Sequence, residues 1–369
     1  MTTPLAVARS ERLKSAIAKA GLDAVAVVPG ANFYYLTGVH FHLMERPTVL
    51  FVGADGRKAA VIPALEKARW QAEAPDVDTI YWLDSDGYEA AFEKVARRLR
   101  ATRLGVEGQR MRYFEAEVVR RSFANTLVID AHAEISAIRL CKDKAEIASM
   151  RRAIEISERA WLSTMDHAHS GMIETEVRQI LTSAMLAEGA DGFAFDPIVL
   201  SGGATADPHG VASFDRKLDR GAALLIDFGA SWGGYSADIT RTVFVETVSD
   251  EHRAIYEAVL AANALGRQIA SPGVSLDRVD RDVTAKLRVG GYPELIVHKT
   301  GHGLGLDVHE APQVMIGNNQ LLEPGMVITI EPGLYRNGDV GVRIEDDVLI
   351  TESGGESLTT LERTLRVVG

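Results

Sequence analysis

The stretch TIEPGLYRNGDVGVRIEDDVLI, residues 329–350, places strand-forming residues on both sides of Asn337-Gly338-Asp339, the signature of a β-hairpin turning at Gly338. Glu331 and Glu345 stand at equal distances from that turn. A second stretch, LLIDFGASWGGYSADITRTVFV at 224–245, repeats the design, with Asp227 and Asp238 equidistant from a midpoint between Trp232 and Gly233. In simple antiparallel hairpins each acid faces its partner directly across the ladder. Like charges directly opposite destabilise a sheet. Two such pairs in one domain need a cation, and a metal centre is the natural candidate.

Working outward, the two hairpins belong to two copies of an internal repeat. Gly171, Val177 and Gly189 recur at one constant offset as Gly273, Val279 and Gly291. Each copy reads helix, turn, helix, glycine, then a strand: PIVLSGG at 197–203 and LIVHKTG at 295–301. Val177, Ile180, Leu181, Ala184 and Met185 form one apolar helical stripe in the first copy, matched by Val279, Val283 and Leu287 in the second. The reading is a pseudo-twofold α+β domain over 144–369. Its helices cover one side of a curved antiparallel sheet, and the acid hairpins of the two halves meet near the pseudo-axis.

Upstream, residues 1–133 alternate helical and strand patterns. Strands are expected over 23–29, 49–63 (a hairpin turning at Asp55-Gly56), 78–83, 103–108 and 126–130, with helices near 6–20, 65–73, 88–100 and 111–124. That pattern describes an α/β domain with a partly parallel sheet, and it contains no phosphate-cradling glycine loop. Residues 134–143 read as a connector, followed by a long helix from about Lys144 to His167.

Composition narrows the function. The 369 residues suffice for two domains, each with its own core. A net charge of −11 argues against a nucleic-acid partner, since phosphate binding is driven by clustered Lys and Arg. With Cys141 as the one cysteine, no intramolecular disulfide forms and a thiolate metal site is excluded. The N-terminal sequence lacks the apolar core of a signal peptide, and no apolar run is long enough to span a membrane. The chain reads as cytoplasmic.

Strand alternation places Arg343 on the face of Glu345, and Thr240 on the face of Asp238. The segment HKTGHGLGLDVHEAP adds His298, His302 and His309, and the glycines flanking His302 allow close backbone approach. Four carboxylates and one imidazole suit two divalent metals sharing bridging ligands.

The set Asp227, Asp238, His302, Glu331 and Glu345, in the strings DFG, SADITRT, GHGLGLDVHEAP, TIEPG and GVRIEDD, resembles the pita-bread metallopeptidases, in the prolidase and aminopeptidase P branch. The resemblance implies a creatinase-like α/β N-terminal domain and a C-terminal pita-bread domain. It implies two metal ions, Mn²⁺ or Co²⁺ with Zn²⁺ or Fe²⁺ as further options. Asp227 would bind one ion, Asp238 and Glu345 would bridge, and His302 and Glu331 would complete the other. A bridging hydroxide would attack an Xaa-Pro bond, with Glu331 as proton shuttle and His309 steadying the oxyanion. His209, His298 and Arg343 would contact substrate or support the metal ligands. The implied substrate is a small peptide with proline at its second position, most simply a dipeptide, and the implied assembly is a homodimer. An aminopeptidase acting on longer peptides, a non-peptidase hydrolase or lyase, and a metal-free binding module are the alternatives. The chain carries GGATAD before His209, where many prolidases have an asparagine-containing stretch.

Simpler readings exist for single residues. Taken alone, each acid is a solvated strand residue, and His209 and His309 are hydrogen-bonded loop histidines. Arg343 serves equally as a clamp on the acids. His40 and His42, in GVHFH, match no ligand of the family, and Cys141 reads as a small buried residue.

Overall fold

The computed structural model describes residues 4–369, and the chain divides between Arg139 and Leu140 into two units. The first holds a six-stranded sheet built from β1 (Ala24–Val27), β2 (Val49–Gly53), β3 (Lys58–Pro63), β4 (Asp78–Trp82), β5 (Arg103–Val106) and β6 (Leu127–Asp130). The spatial order is β4-β3-β2-β1-β5-β6. The β1–β5, β5–β6 and β3–β4 pairs are parallel, while β2 runs antiparallel to both neighbours. A partly parallel sheet follows from helical crossovers flanking the single hairpin β2–β3. The sequence reading places no element over 31–37, yet Ala31–Thr37 is helical and ends on Gly38 at φ 75°. The expected connector is partly helical too, with a helix His132–Ser136 followed by a 3₁₀ turn Ala137–Arg139.

The second unit carries the repeat. Helices Lys144–Met165 and Glu174–Ala187 serve the first half, Asp250–Ile269 and Leu276–Val289 the second. The repeated glycines adopt matching left-handed conformations: φ is 89° at Gly171 and 80° at Gly273, then 96° at Gly189 and 98° at Gly291. Those are positions that favour glycine because a Cβ is strained there. Val177, Leu181 and Met185 are completely buried in the same cluster as Leu224, Ile226 and Phe228. Val279, Val283 and Leu287 pack in the same cluster as Ile328, Ile330 and Val348. Each such side chain contributes about 1.5–3 kcal/mol on full burial. Ile180 and Ala184, in the same stripe, are only partly buried.

The first half presents a four-stranded sheet and the second a five-stranded sheet. In the first, Ala223–Phe228 pairs with Ile239–Val245 so that Asp227 lies opposite Thr240. This corrects the expected Asp227–Asp238 pairing. The ladder turns on Gly233-Gly234, both at positive φ, and Trp232 pairs with Tyr235. Two left-handed residues are what a two-residue turn of matching twist requires. The turn centre therefore lies one residue beyond the expected midpoint, and the two acids become diagonal neighbours on one face.

In the second hairpin the expected register stands. Ile330 pairs with Asp346 and Gly333 with Arg343, which sets Glu331 opposite Glu345 at the break between two short ladders. The strand expected over 295–301 does not form. A 3₁₀ turn covers Pro293–Leu295, and the ladder begins only at Gly301–Gly303. The backbone N–H of Thr300 donates to the Asp280 carboxylate at 3.0 Å instead of to a neighbouring strand. Among the described residues no helix is long and apolar enough to cross a membrane.

Candidate metal centre

Asp227 lies within its ladder, and the other three acids are fixed by hydrogen bonds from their backbone N–H groups. The Glu331 N–H donates to Thr300 O at 2.8 Å, and the Glu345 N–H donates to Thr240 O at 3.1 Å. The Asp238 N–H donates to Asp347 Oδ2 at 3.2 Å. The second and third of these cross between the two halves, so the hairpins meet where the repeat predicts. Thr240 adds a hydroxyl that donates to Glu345 Oε2 at 2.7 Å. His302 sits on the Gly301–Gly303 strand, where the close approach to its neighbours excludes side chains on both flanks. A Cβ on Gly301 would lie 2.0 Å from Thr329 O, and one on Gly303 would lie 2.2 Å from Ala311 O.

These residues form the floor of a cavity of about 430 Å³, whose walls bring in His209, His298 and His309 with Phe195, Val297 and Val308. The five expected metal ligands, with His209, His298, His309 and Arg343, all line this one space. His209 and His309 are exposed at the rim, and the His302 and His309 rings lie 4.1 Å apart. His40 and His42 are exposed and stack edge-on at 5.2 Å, outside the groups able to hold an ion. Cys141 is half-buried and bridges through its backbone to Met326.

The acids repel one another. Burial first, and then the charges of Glu345 and Asp227, hold the Asp238 carboxyl well above the usual carboxylate range. Burial and the charges of Glu331 and Asp227 do the same to Glu345. Burial pushes Glu331 up to about 7, with the Arg343 guanidinium opposing. Arg343 is the balancing cation. Burial works against its charge, but Tyr335, Asp227, Glu345 and Glu331 outweigh that and hold it well above its ordinary value. Its Nη2 donates to Asp227 Oδ2 at 2.5 Å, Nη1 to Tyr335 Oη at 2.7 Å and Nε to Thr240 Oγ1 at 2.9 Å.

The donor set fits divalent ions. His302 Nδ1 contacts Gly303 O at 3.0 Å, which selects the tautomer donating there and leaves the Nε2 lone pair outward. That lone pair meets Glu331 Oε1 at 3.4 Å and Asp238 Oδ2 at 3.6 Å. Burial holds the ring down to about 3, so it stays neutral and three acceptors face one another. Asp227 Oδ1 is buried without a partner. Ligand atoms of Asp227, Asp238 and Glu345 lie within 4.8 Å of one another, as do those of His302, Glu331 and Glu345, and those of Asp238, His302 and His309. Mutually repelling acceptors at such spacings are what a hard cation neutralises.

Two groups escaped the sequence reading. Tyr335 is buried and pushed up to about 12 by that burial, and it joins Arg343 to His298. Strand parity could have found it, because Glu331, Gly333 and Tyr335 share a face. Lys299 lines the cavity and donates to Gln313 Oε1. It lies in the irregular segment, where parity carries no information. Both ring nitrogens of His298 are used within the protein, Nδ1 on Lys299 O at 2.7 Å and Nε2 on Tyr335 Oη at 2.8 Å. Its carbon edge is what it offers the cavity.

Known proteins resemble this chain in sequence and fold. Residues 148–352 match the metallopeptidase family M24, and residues 9–141 match the creatinase/prolidase N-terminal domain. The chain is 34% identical over 361 residues to the Xaa-Pro dipeptidase of Pyrococcus furiosus, covering 97% of this chain and 99% of that protein. A prolidase structure from Thermococcus sibiricus is similar with a TM-score of 0.92 at 33% identity, covering 98% of each chain. An X-Pro aminopeptidase from Thermotoga maritima gives 0.84 at 34% identity, covering 98% of this chain and 100% of that one. With the M24 match spanning more than half of the sequence, and relatives at this identity over nearly its whole length, the chain belongs to the metallopeptidase family M24 and carries a creatinase/prolidase N-terminal domain.

Proposed function

We propose that this protein is a metal-dependent Xaa-Pro dipeptidase, with Asp227, Asp238, His302, Glu331 and Glu345 holding two divalent ions. The observation that carries the reading is the His302 Nε2 lone pair facing two carboxylate oxygens, at 3.4 and 3.6 Å, on the floor of a cavity. Bound there, such ions would lower the pKa of a water enough to supply a hydroxide nucleophile for a peptide carbonyl at neutral pH. Oxygen-rich ligands with one imidazole suit Mn²⁺ or Co²⁺, with Zn²⁺ and Fe²⁺ also compatible.

The chain's own residues do the rest. Glu331 takes up a proton at its carboxylate and delivers it to the prolyl nitrogen, the leaving group. His309, at the rim beside His302, donates to the oxygen that becomes negative as the carbonyl is attacked. A prolyl amide has no N–H, so selection rests on ring shape. Phe195, Val297 and Val308 supply apolar wall, and His209 stands exposed at the mouth. Arg343 holds Asp227 rather than reaching for substrate, since each of its guanidinium nitrogens already has a protein partner.

His309→Ala is expected to keep both ions and lose about 10²–10³-fold in kcat, the scale of removing one donor to a developing oxyanion. Metal analysis beside steady-state kinetics checks it, and loss of metal in this variant would recast His309 as a ligand.

The similarity to an X-Pro aminopeptidase structure gives the second reading, action on longer peptides. Turnover of Ala-Pro against Ala-Pro-Ala by chelator-stripped enzyme reloaded with Mn²⁺ or Co²⁺ separates the two. Cleavage of the dipeptide alone is the expected result. Strong cleavage of the tripeptide moves the assignment to an aminopeptidase. Activity on neither, with ions bound, makes a non-peptidase reaction on this fold the leading reading.

A further inference from the structure

The segment between Leu295 and Gly301 reaches the metal centre with no sheet to hold it, yet it ends two residues before a ring that must be aimed within a fraction of an ångström. We infer that Asp280, on the helix Leu276–Val289, is a positioning residue for His302 and Glu331. The inference deepens the metal-centre reading and rests on it.

The Asp280 side chain is buried, and besides the Thr284 hydroxyl of its own helix, at 3.5 Å, its two oxygens gather three donors from two separate segments. Oδ1 accepts from the Thr300 N–H at 3.0 Å and from the Thr300 hydroxyl at 2.7 Å. Oδ2 accepts from the Ile316 N–H at 2.8 Å. Thr300 then passes the constraint on in two directions. Its carbonyl accepts from the Glu331 N–H at 2.8 Å, which fixes the backbone of one ligand. Its chain continues through Gly301 into His302, whose N–H donates to Thr329 Oγ1 at 3.1 Å. The helix therefore stands where a neighbouring strand would stand, and a carboxylate replaces the ladder. Thr300 is itself buried, so without Asp280 its N–H and hydroxyl would be left without acceptors away from water.

The first half of the repeat has a related arrangement, although there Ser201 also belongs to a ladder, opposite Leu224, and the Arg216 guanidinium pairs with the acid at 2.8 Å. Glu174, in the first turn of the corresponding helix and fully buried, accepts from the Ser201 N–H at 2.6 Å and the Ser201 hydroxyl at 3.0 Å. It also accepts from the Ser213 N–H at 2.8 Å, beyond the loop that carries His209 into the cavity. In each half, then, one buried acid of the second helix captures both donors of a Ser or Thr where the chain approaches the cavity, and a further N–H from a later loop.

Asp277 makes a useful contrast. It lies one turn earlier on the same helix and accepts from the Gly317 N–H at 2.7 Å, but it makes no contact with Thr300. Asp280→Asn keeps the shape, loses an acceptor oxygen and points an N–H₂ at a donor. Thr300→Val removes the hydroxyl alone, and Thr300→Ser retains it.

The test is Mn²⁺ affinity of chelator-stripped protein, read from the free-ion electron paramagnetic resonance signal, with circular dichroism to confirm folding. Asp280→Asn and Thr300→Val are expected to weaken Mn²⁺ by about 10–100-fold, the range for groups that orient metal ligands. Thr300→Ser should restore parental affinity, and Asp277→Asn should leave it unchanged whatever it does to the melting temperature. Parental affinity in folded Asp280→Asn overturns the inference, and so does an equal loss in Asp277→Asn, which would make the effect one of general stability. If Asp280→Asn does not fold, the Thr300→Val and Thr300→Ser pair decides: equal affinities overturn the inference. A parental protein that binds no Mn²⁺ fails differently, removing the metal-centre reading itself.

Discussion

Replacing Asp238 by Asn, or Glu345 by Gln, is expected to abolish metal binding and turnover together while leaving the ion-free protein at least as stable as the parent. Both side chains are buried, and neighbouring carboxylates oppose their charge. An isosteric amide removes one repelling acid at either position, and at Glu345 the repulsion relieved outweighs the attraction to Arg343 that is lost with it. A relief of about 1 kcal/mol would raise the melting temperature by about 2–4 °C for a unit of this size. With metal the sign reverses. The ions contribute stability through the folded state alone, and a site with one ligand fewer forfeits that contribution. Turnover falls by about 10³-fold or more, because the group activating the nucleophile is lost. Melting curves with and without Mn²⁺, beside kinetics on Ala-Pro, read both effects. A variant that keeps two ions and near-parental turnover removes these residues from the metal centre.

How much of this was legible in sequence depends on local geometry. Turn chemistry and strand parity located the second hairpin to the residue, because Asn337-Gly338-Asp339 permits one turn centre and Glu331 and Glu345 keep their register across it. The first hairpin was misplaced by one residue because Trp232-Gly233-Gly234 offers two possible centres. Positive φ at both glycines chose the later one. The repeated glycines were legible as a repeat since their conformations leave little choice of residue. The false strand at 295–301 shows the opposite case. LIVHKT has strand composition, but composition cannot foresee that a carboxylate from a helix will take the hydrogen bond a ladder needs. Tyr335 and Lys299 were missed for different reasons, one because parity was applied beside Glu345 and Asp238 but not along the strand after Glu331, the other because no regular element orients it.

Arg343 should show the converse of the acid substitutions: removing it costs stability in the very protein where removing an acid does not. Arg343 is buried, and its guanidinium satisfies Asp227, Tyr335 and Thr240 at once. Arg343→Met keeps most of the volume but leaves Asp227 Oδ2 without its cation, while Oδ1 is already unpartnered. Breaking a buried pair from one side costs about 3–5 kcal/mol. At about 2–4 °C per kcal/mol, the ion-free melting temperature should fall by roughly 10 °C. The deficit should narrow as pH falls through about 7, where Glu331, one of the acids that Arg343 balances, takes up its proton. Arg343→Lys should recover only part, because one ammonium cannot make the planar fork to three partners. The double variant Asp227→Asn/Arg343→Met settles the attribution. If the loss arises from an uncompensated carboxylate, the second substitution restores stability, with a coupling of about 1–3 kcal/mol. If the two changes simply add, the loss is one of packing, and the electrostatic balance described for this site is wrong.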